Sequence, residues 1–257
     1  MLSNLIKCGA IGVIDSGIGG LNILNALLKN FNNYNYLYYG DNKNAPYGNK
    51  SHRELKRLVS FGIGELVENN AKIIVVACNT LSTAVAEYVK AISPVPVVFT
   101  LPINNYDKEK YKAPCLISTP VTANSDFVKK NFCDFTVVPL PFLAGEIERY
   151  VLTPKKISVD KDLNAIPENT DYLFLGCTHY IYIKKVIERL TGIKVNDNRQ
   201  NVLRSVANYL PSINVREVKG KPTVYFLGNS ADYNFTVFHN CFVAHNHRKV
   251  TFIPKIL

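Results

Sequence analysis

The sequence predicts an α/β protein of two similar lobes facing each other, each a mostly parallel sheet flanked by helices. Three observations carry that expectation. Ile73-Ile74-Val75-Val76 and Tyr172-Leu173-Phe174-Leu175 are short unbroken apolar runs, the pattern of strands buried on both faces of a parallel sheet. Each run leads into a cysteine followed by polar side chains, Cys78-Asn79-Thr80 and Cys177-Thr178-His179. The chain also repeats itself weakly. Asp15 and Cys78 are about as far apart as Thr119 and Cys177, and each interval holds a strand, a hydroxyl-bearing turn, a helix and a later strand ending in cysteine. Open α/β sheets gather ligands at the carboxyl ends of their strands, so facing lobes would bring both cysteines to one cleft.

Taken in order, Ile11–Ile14 is a strand closed by Asp15-Ser16-Gly17-Ile18-Gly19-Gly20. Leu21, Leu24, Leu27 and Leu28 then recur at helical spacing, and a glycine-rich turn between strand and helix suits an anion. It is not a dinucleotide fingerprint, because the last glycine of GxGxxG would fall at Asn22. Tyr36–Tyr39 is the next strand, running through Gly40-Asp41 into turn residues at Pro46-Tyr47-Gly48. Ser51 caps a helix reaching about Asn70; the Cys78 strand follows, with a helix from about Leu81. Ser93-Pro94-Val95-Pro96 breaks that helix before a short strand at Val97–Phe99. The second series has strands at Cys115–Ser118 and Phe135–Val138, a turn at Thr119–Thr122 and a helix carrying Glu146. Thr153–Thr170 reads as polar and irregular. The Cys177 strand, its helix, a short Ile193–Val195 strand, a helix to about Leu210, a Thr223–Leu227 strand and a closing helix and strand complete the chain.

At 257 residues the chain can bury a large core, and 47% apolar with 19% charged residues excludes a disordered chain. No run reaches the roughly 18 apolar residues of a membrane helix. Met1–Lys7 has no basic leader before an apolar block, so a cytoplasmic protein without a membrane partner is expected. The six cysteines form no CxxC pair and read as free thiols. The net charge of +10 is scattered, with no basic run of five, so it reads as a lysine-rich surface rather than a nucleic-acid site.

Two thiols reaching one carbon from opposite sides suit inversion of a centre that carries one hydrogen. One face needs a base and the other an acid, and a thiol titrating near 8.5 serves as either after a modest shift. Two other uses compete. Cys78, Cys177 and His179 can ligate metal but lack paired local spacing, and either cysteine alone can be a buried apolar side chain. His239, Cys241, His245 and His247 raise a second metal question; the asparagines between most of them favour surface histidines, and no metal is expected.

Asp15-Ser16-Gly17-x-Gly19-Gly20, Gly40-Asp41, Pro46-Tyr47-Gly48, Cys78-Asn79-Thr80 and Gly176-Cys177-Thr178-His179-Tyr180 together resemble the glutamate racemases of the aspartate/glutamate racemase family. The motifs occur in the family's order over nearly the whole chain. The resemblance implies cofactor-independent interconversion of L- and D-glutamate, supplying D-glutamate for peptidoglycan. It implies two lobes related by pseudo-two-fold symmetry, one of residues 1–97 and 208–257 and a second of 98–207, with a homodimer left open. It implies that Cys78 acts on D-glutamate assisted by Asp15, and Cys177 on L-glutamate assisted by His179 and Glu146. Ser16, Pro46, Tyr47, Gly48, Asn79, Thr80, Thr119, Thr122 and Thr178, with Asp15 and His179, would hold the substrate. Asp15 suits its ammonium and the hydroxyls and amides suit its carboxylates. The chain departs from the family pattern at Leu81, where alanine is usual. It departs again at Ile181-Tyr182-Ile183, where proline and leucines are usual, and the Thr119–Thr122 turn lacks a glycine. An aspartate racemase of the same family, and a weakly catalytic binding protein on this scaffold, remain as alternatives.

Overall fold

A computed structural model describes residues 8–103, 106–243 and 251–254. The first unit runs β1 (Ala10–Asp15), α1 (Leu21–Asn30), β2 (Tyr36–Gly40), α2 (His52–Glu68), β3 (Ala71–Val76), α3 (Asn79–Ala84), α4 (Ala86–Ile92) and β4 (Val97–Phe99). The second runs β5 (Pro114–Ser118), α5 (Pro120–Ala123), α6 (Asp126–Asn131), β6 (Thr136–Pro139), α7 (Leu143–Tyr150), α8 (Asp160–Leu163), β7 (Tyr172–Gly176), α9 (Lys184–Thr191) and β8 (Val195–Asn196). α10 (Arg199–Tyr209) leads back to β9 (Thr223–Leu227), α11 (Ala231–Phe238) and β10 (Thr251–Pro254).

Two sheets result. One has the order β10-β9-β2-β1-β3-β4 and the other β6-β5-β7-β8, and every described strand pair is parallel. The order second-first-third-fourth, β2-β1-β3-β4, recurs as β6-β5-β7-β8. The weak sequence repeat therefore corresponds to two sheets of matching topology, and the protein is a two-lobed α/β fold. β9 and β10 extend the first sheet beyond β2, so the end of the chain returns to the lobe in which it began.

The unbroken apolar strands behave as parallel strands must. Ile73, Ile74, Val75 and Val76 are all fully buried, alternating between the layers on either face of the sheet. Each such side chain contributes roughly 1.5–3 kcal/mol of transfer free energy. Ser51 caps α2 as its sequence indicates: its hydroxyl accepts the Glu54 amide while the Glu54 carboxylate accepts the Ser51 amide.

Several elements differ from the sequence reading. The helix after Cys78 begins at Asn79 and breaks at Val85, whose φ of −133° lies outside helical geometry. His179–Ile183 is a 3₁₀ turn before α9, where β-branched Thr178, Ile181 and Ile183 weaken a regular α-helical turn. Thr153–Thr170 contains a 3₁₀ turn at Pro154–Lys156 and the short α8. Met1–Lys7, His245 and His247 lie outside the described residues. Among the described residues no helix is long and apolar enough to cross a membrane, and no group of three metal-ligating side chains comes together.

Candidate active site

β1 and β3 are register-paired neighbours, as are β5 and β7, so their carboxyl ends present Asp15, Cys78, Thr119 and Cys177 at the same level of each sheet. Between the lobes lies a small cavity of about 10 Å³. Ser16, Pro46, Tyr47, Gly48, Cys78, Asn79, Thr80, Thr119, Cys177, Thr178 and His179 line it, with Ala144 from α7. A wider groove of about 490 Å³ beside His52, Lys56 and Tyr88 contains no cysteine. Both Cys78 and Cys177 line the smaller space.

On the first-lobe side, Cys78 is buried directly after β3. Its thiol is pushed up to about 12, by burial first and then by the Asp15 carboxylate. Asp15 is fully buried and stands behind the cavity wall rather than on it. It accepts the Gly17 amide at 3.0 Å, the Ser16 hydroxyl at 3.4 Å and, from the second lobe, the Thr178 hydroxyl at 3.2 Å. Burial raises its pKa, partly offset by the positive charge of His179. Asn79 donates to the Thr100 carbonyl at 2.9 Å, which fixes its amide on the wall. Thr80 and Thr119 join the lobes through hydroxyls 3.0 Å apart. Thr122 lies behind them, accepting from Thr119 at 3.1 Å. Tyr47 is held by its hydroxyl donating to Asp41 at 2.6 Å.

On the second-lobe side, Cys177 Sγ is 3.8 Å from His179 Nδ1. His179 is 2% exposed, and its Nε2 donates at 2.5 Å to a glutamate on α7. That glutamate is Glu148, not Glu146. α7 advances about 100° per residue, so residues two apart lie on nearly opposite sides. Glu148 shares a face with Ala144, four residues earlier, which lines the cavity. The Glu146 carboxylate faces away and accepts the Ser158 amide at 3.3 Å. Helical spacing from Ala144 was the signal for Glu148, but it becomes readable only once Ala144 is known to line the cavity. Burial alone would depress the His179 pKa, but the hydrogen bonds to Cys177 and Glu148 and the charges behind them outweigh it, holding the ring well above its ordinary value.

Glu148 also accepts the Ile18 amide at 3.1 Å and the Asn42 side chain, both from the first lobe. This contact dictates the glycines. A Cβ on Gly17 would lie 2.3 Å from the Glu148 carboxylate, and one on Gly19 would lie 2.4 Å from the Thr178 hydroxyl and 2.6 Å from His179 Nδ1. Two buried thiols thus share one cavity in opposite settings, one beside a carboxylate and the other beside a cationic imidazole. Such a pair can hold one sulfur protonated and balance negative charge on the other.

No protein-family model matches the chain. It is similar to the curated glutamate racemase of Fusobacterium nucleatum, 33% identical over 242 residues, covering 89% of this chain and 92% of that protein. Its fold matches the crystal structure of Francisella tularensis glutamate racemase in complex with D-glutamate, at a TM-score of 0.73 and 22% identity over 97% of both chains. It also matches Thermus thermophilus glutamate racemase in complex with β-chloro-D-alanine, at a TM-score of 0.70 and 26% identity over 97% of this chain and 98% of that one. Similarity at this level across nearly the full length of a curated relative, on the same two-lobed fold, means that the chain belongs to the glutamate racemase family.

Proposed function

We propose that this chain interconverts L- and D-glutamate without a cofactor, using Cys177 and Cys78 as a two-base pair. The observation that carries the reading is that both thiols line one small cavity with opposite electrostatic neighbours. The His179 imidazolium supplies the counter-charge for Cys177 when it acts as the base, while Cys78 carries its proton. Cys177 takes the α-proton of L-glutamate; Cys78 then delivers its own proton to the opposite face, giving D-glutamate. The sulfurs finish with exchanged protonation states, which is the starting point for the reverse direction.

Asp15 acts on Cys78 electrostatically from behind Ser16, and Glu148 acts through His179. Ser16, Asn79, Thr80, Thr119 and Thr178 offer donors for the two carboxylates and for the enediolate charge that develops on one of them. The cavity wall carries no lysine to form a pyridoxal imine, and two thiols acting on one carbon need none. Residues 1–97 with 208–257 and residues 98–207 are the two lobes of this reading; the two sheets support the division except at its first boundary, because β4 (Val97–Phe99) completes the first sheet. The product D-glutamate fits a cytoplasmic role in supplying peptidoglycan synthesis.

The test uses L-glutamate in D₂O, with L-aspartate as a parallel substrate. Early D-glutamate should carry deuterium while recovered L-glutamate stays unlabelled, because the returning proton comes from the opposite, solvent-equilibrated thiol. Cys78→Ser and Cys177→Ser should each abolish most racemisation, since a serine hydroxyl is far too weak an acid for either role. Early label in the recovered substrate, or wild-type turnover by either variant, would sink the two-base reading. Faster conversion of L-aspartate would move the substrate assignment.

A further inference from the structure

The Gly17–Gly20 loop approaches the second lobe so closely that only glycine fits at Gly17 and Gly19. The same choice gives the loop the greatest backbone freedom, so something outside it must hold it still. Two tyrosine hydroxyls do so, one from each lobe. Tyr38 on β2 donates to the Gly17 carbonyl at 2.5 Å, and Tyr182 in the turn after His179 donates to the Ile18 carbonyl at 2.9 Å. The peptide planes on both sides of the Ile18 Cα are thereby fixed. The N–H of the first plane is the one received by Glu148. A reciprocal bond ties the segments from the other side, Asn22 at the start of α1 donating to the Thr178 carbonyl at 3.3 Å.

We propose that Tyr182 is a positioning residue for the Cys177 half of the reaction, holding the Ile18 carbonyl so that the neighbouring Ile18 amide stays on Glu148 and Glu148 stays on His179. The Tyr182 ring is itself seated against Phe242, with centroids 5.9 Å apart, so the hydroxyl is aimed by packing on the first-lobe side. Burial raises its pKa well above the ordinary phenol value, so it remains a donor across the working pH range. Tyr180 offers a comparison from the same turn. It is more deeply buried, and its hydroxyl donates at 3.1 Å to the Leu140 carbonyl rather than to the glycine loop.

The proposal rests on Cys177 being the base for L-glutamate, and its test separates the two claims. Tyr182→Phe keeps the ring and removes only the hydroxyl. Loss of one such hydrogen bond should lower kcat by up to about tenfold while KM changes far less. The deuterium isotope effect on kcat/KM should rise for L-[2-²H]glutamate and not for D-[2-²H]glutamate, because removal of the proton by Cys177 has become the harder step. Tyr180→Phe should leave both isotope effects at wild-type values whatever it does to Tm. If Tyr182→Phe folds poorly, Asn22→Ala, which breaks the reciprocal bond, should give the same directional signature. Unchanged isotope effects and kcat in Tyr182→Phe, or changes matched by Tyr180→Phe, would overturn the positioning role. A rise confined to the D-enantiomer would instead reverse the assignment of the cysteines to substrate faces while keeping Tyr182 in the proton path.

Discussion

Asp15 shows how a single residue is set against the stability of the fold it serves. Its carboxyl is fully buried, and burial holds its pKa above the ordinary 3.8. A group raised in the folded state contributes stability that is complete below its unfolded pKa and is lost as pH rises through the folded value. Ionising the carboxyl in the folded state therefore costs stability, and its proposed return is electrostatic control of Cys78. Asp15→Asn keeps an oxygen for the Gly17 amide and removes the buried charge. Its Tm at pH 7 should equal or exceed that of the wild type, while kcat should fall by about tenfold or more, the usual sign of a site that trades stability for activity. Calorimetry beside progress curves checks both, and full turnover would remove Asp15 from the mechanism. The residue types at this scale were legible where they adjoin strand ends. Cys78, Cys177 and Asp15 each follow or close an apolar run, and a strand end has one place to go. Glu148 was not legible, because two glutamates two residues apart on one helix are distinguished only by which face meets the other lobe.

At the scale of elements, the strands were readable because a strand buried on both faces leaves an unbroken apolar record, and α2 because Ser51 and Glu54 form a capping box visible as letters. The break at Val85 and the 3₁₀ turn at His179–Ile183 were not, since apolar spacing runs through both and does not register the local loosening at β-branched residues. The glycine loop lies between these cases. Its letters announced a tight turn, but not that the tightness serves contact with the second lobe. Gly19→Ala tests that distinction. A turn needing only flexibility would tolerate alanine here, because Gly19 is not among the positive-φ positions. A Cβ 2.6 Å from His179 Nδ1 and 2.4 Å from Thr178 Oγ1 must instead push the Cys177 turn away. Activity should fall by at least about a hundredfold, as displacements near 1 Å at a reacting centre do, with the far-UV CD spectrum unchanged. Near-normal turnover in Gly19→Ala would mean the lobes need not meet this closely.

The whole molecule is two repeats of one topology closed on a cavity of about 10 Å³, with hydrogen bonds crossing the cleft around the two cysteines. Thr178 to Asp15, Ile18 to Glu148, His179 to Glu148, Asn22 to Thr178, Tyr182 to Ile18 and Thr80 to Thr119 link segments far apart in sequence. All but the His179–Glu148 bond join the two lobes, and those five would break if the lobes swung apart, whereas the strand ladders behind them would not. On the proposed mechanism substrate must reach the buried thiols, which requires an opening of this kind, with a free energy well below that of global unfolding. Amides of residues 16–20 and 177–183 should consequently exchange with solvent as one group, through a single opening event. Saturating glutamate, which adds contacts to the closed form alone, should slow both segments by the same factor. Hydrogen-exchange mass spectrometry resolves the two segments separately. Independent rates for them, or protection by glutamate in only one, would show that the lobes do not close as a unit and that each thiol is delivered to the substrate by its own loop.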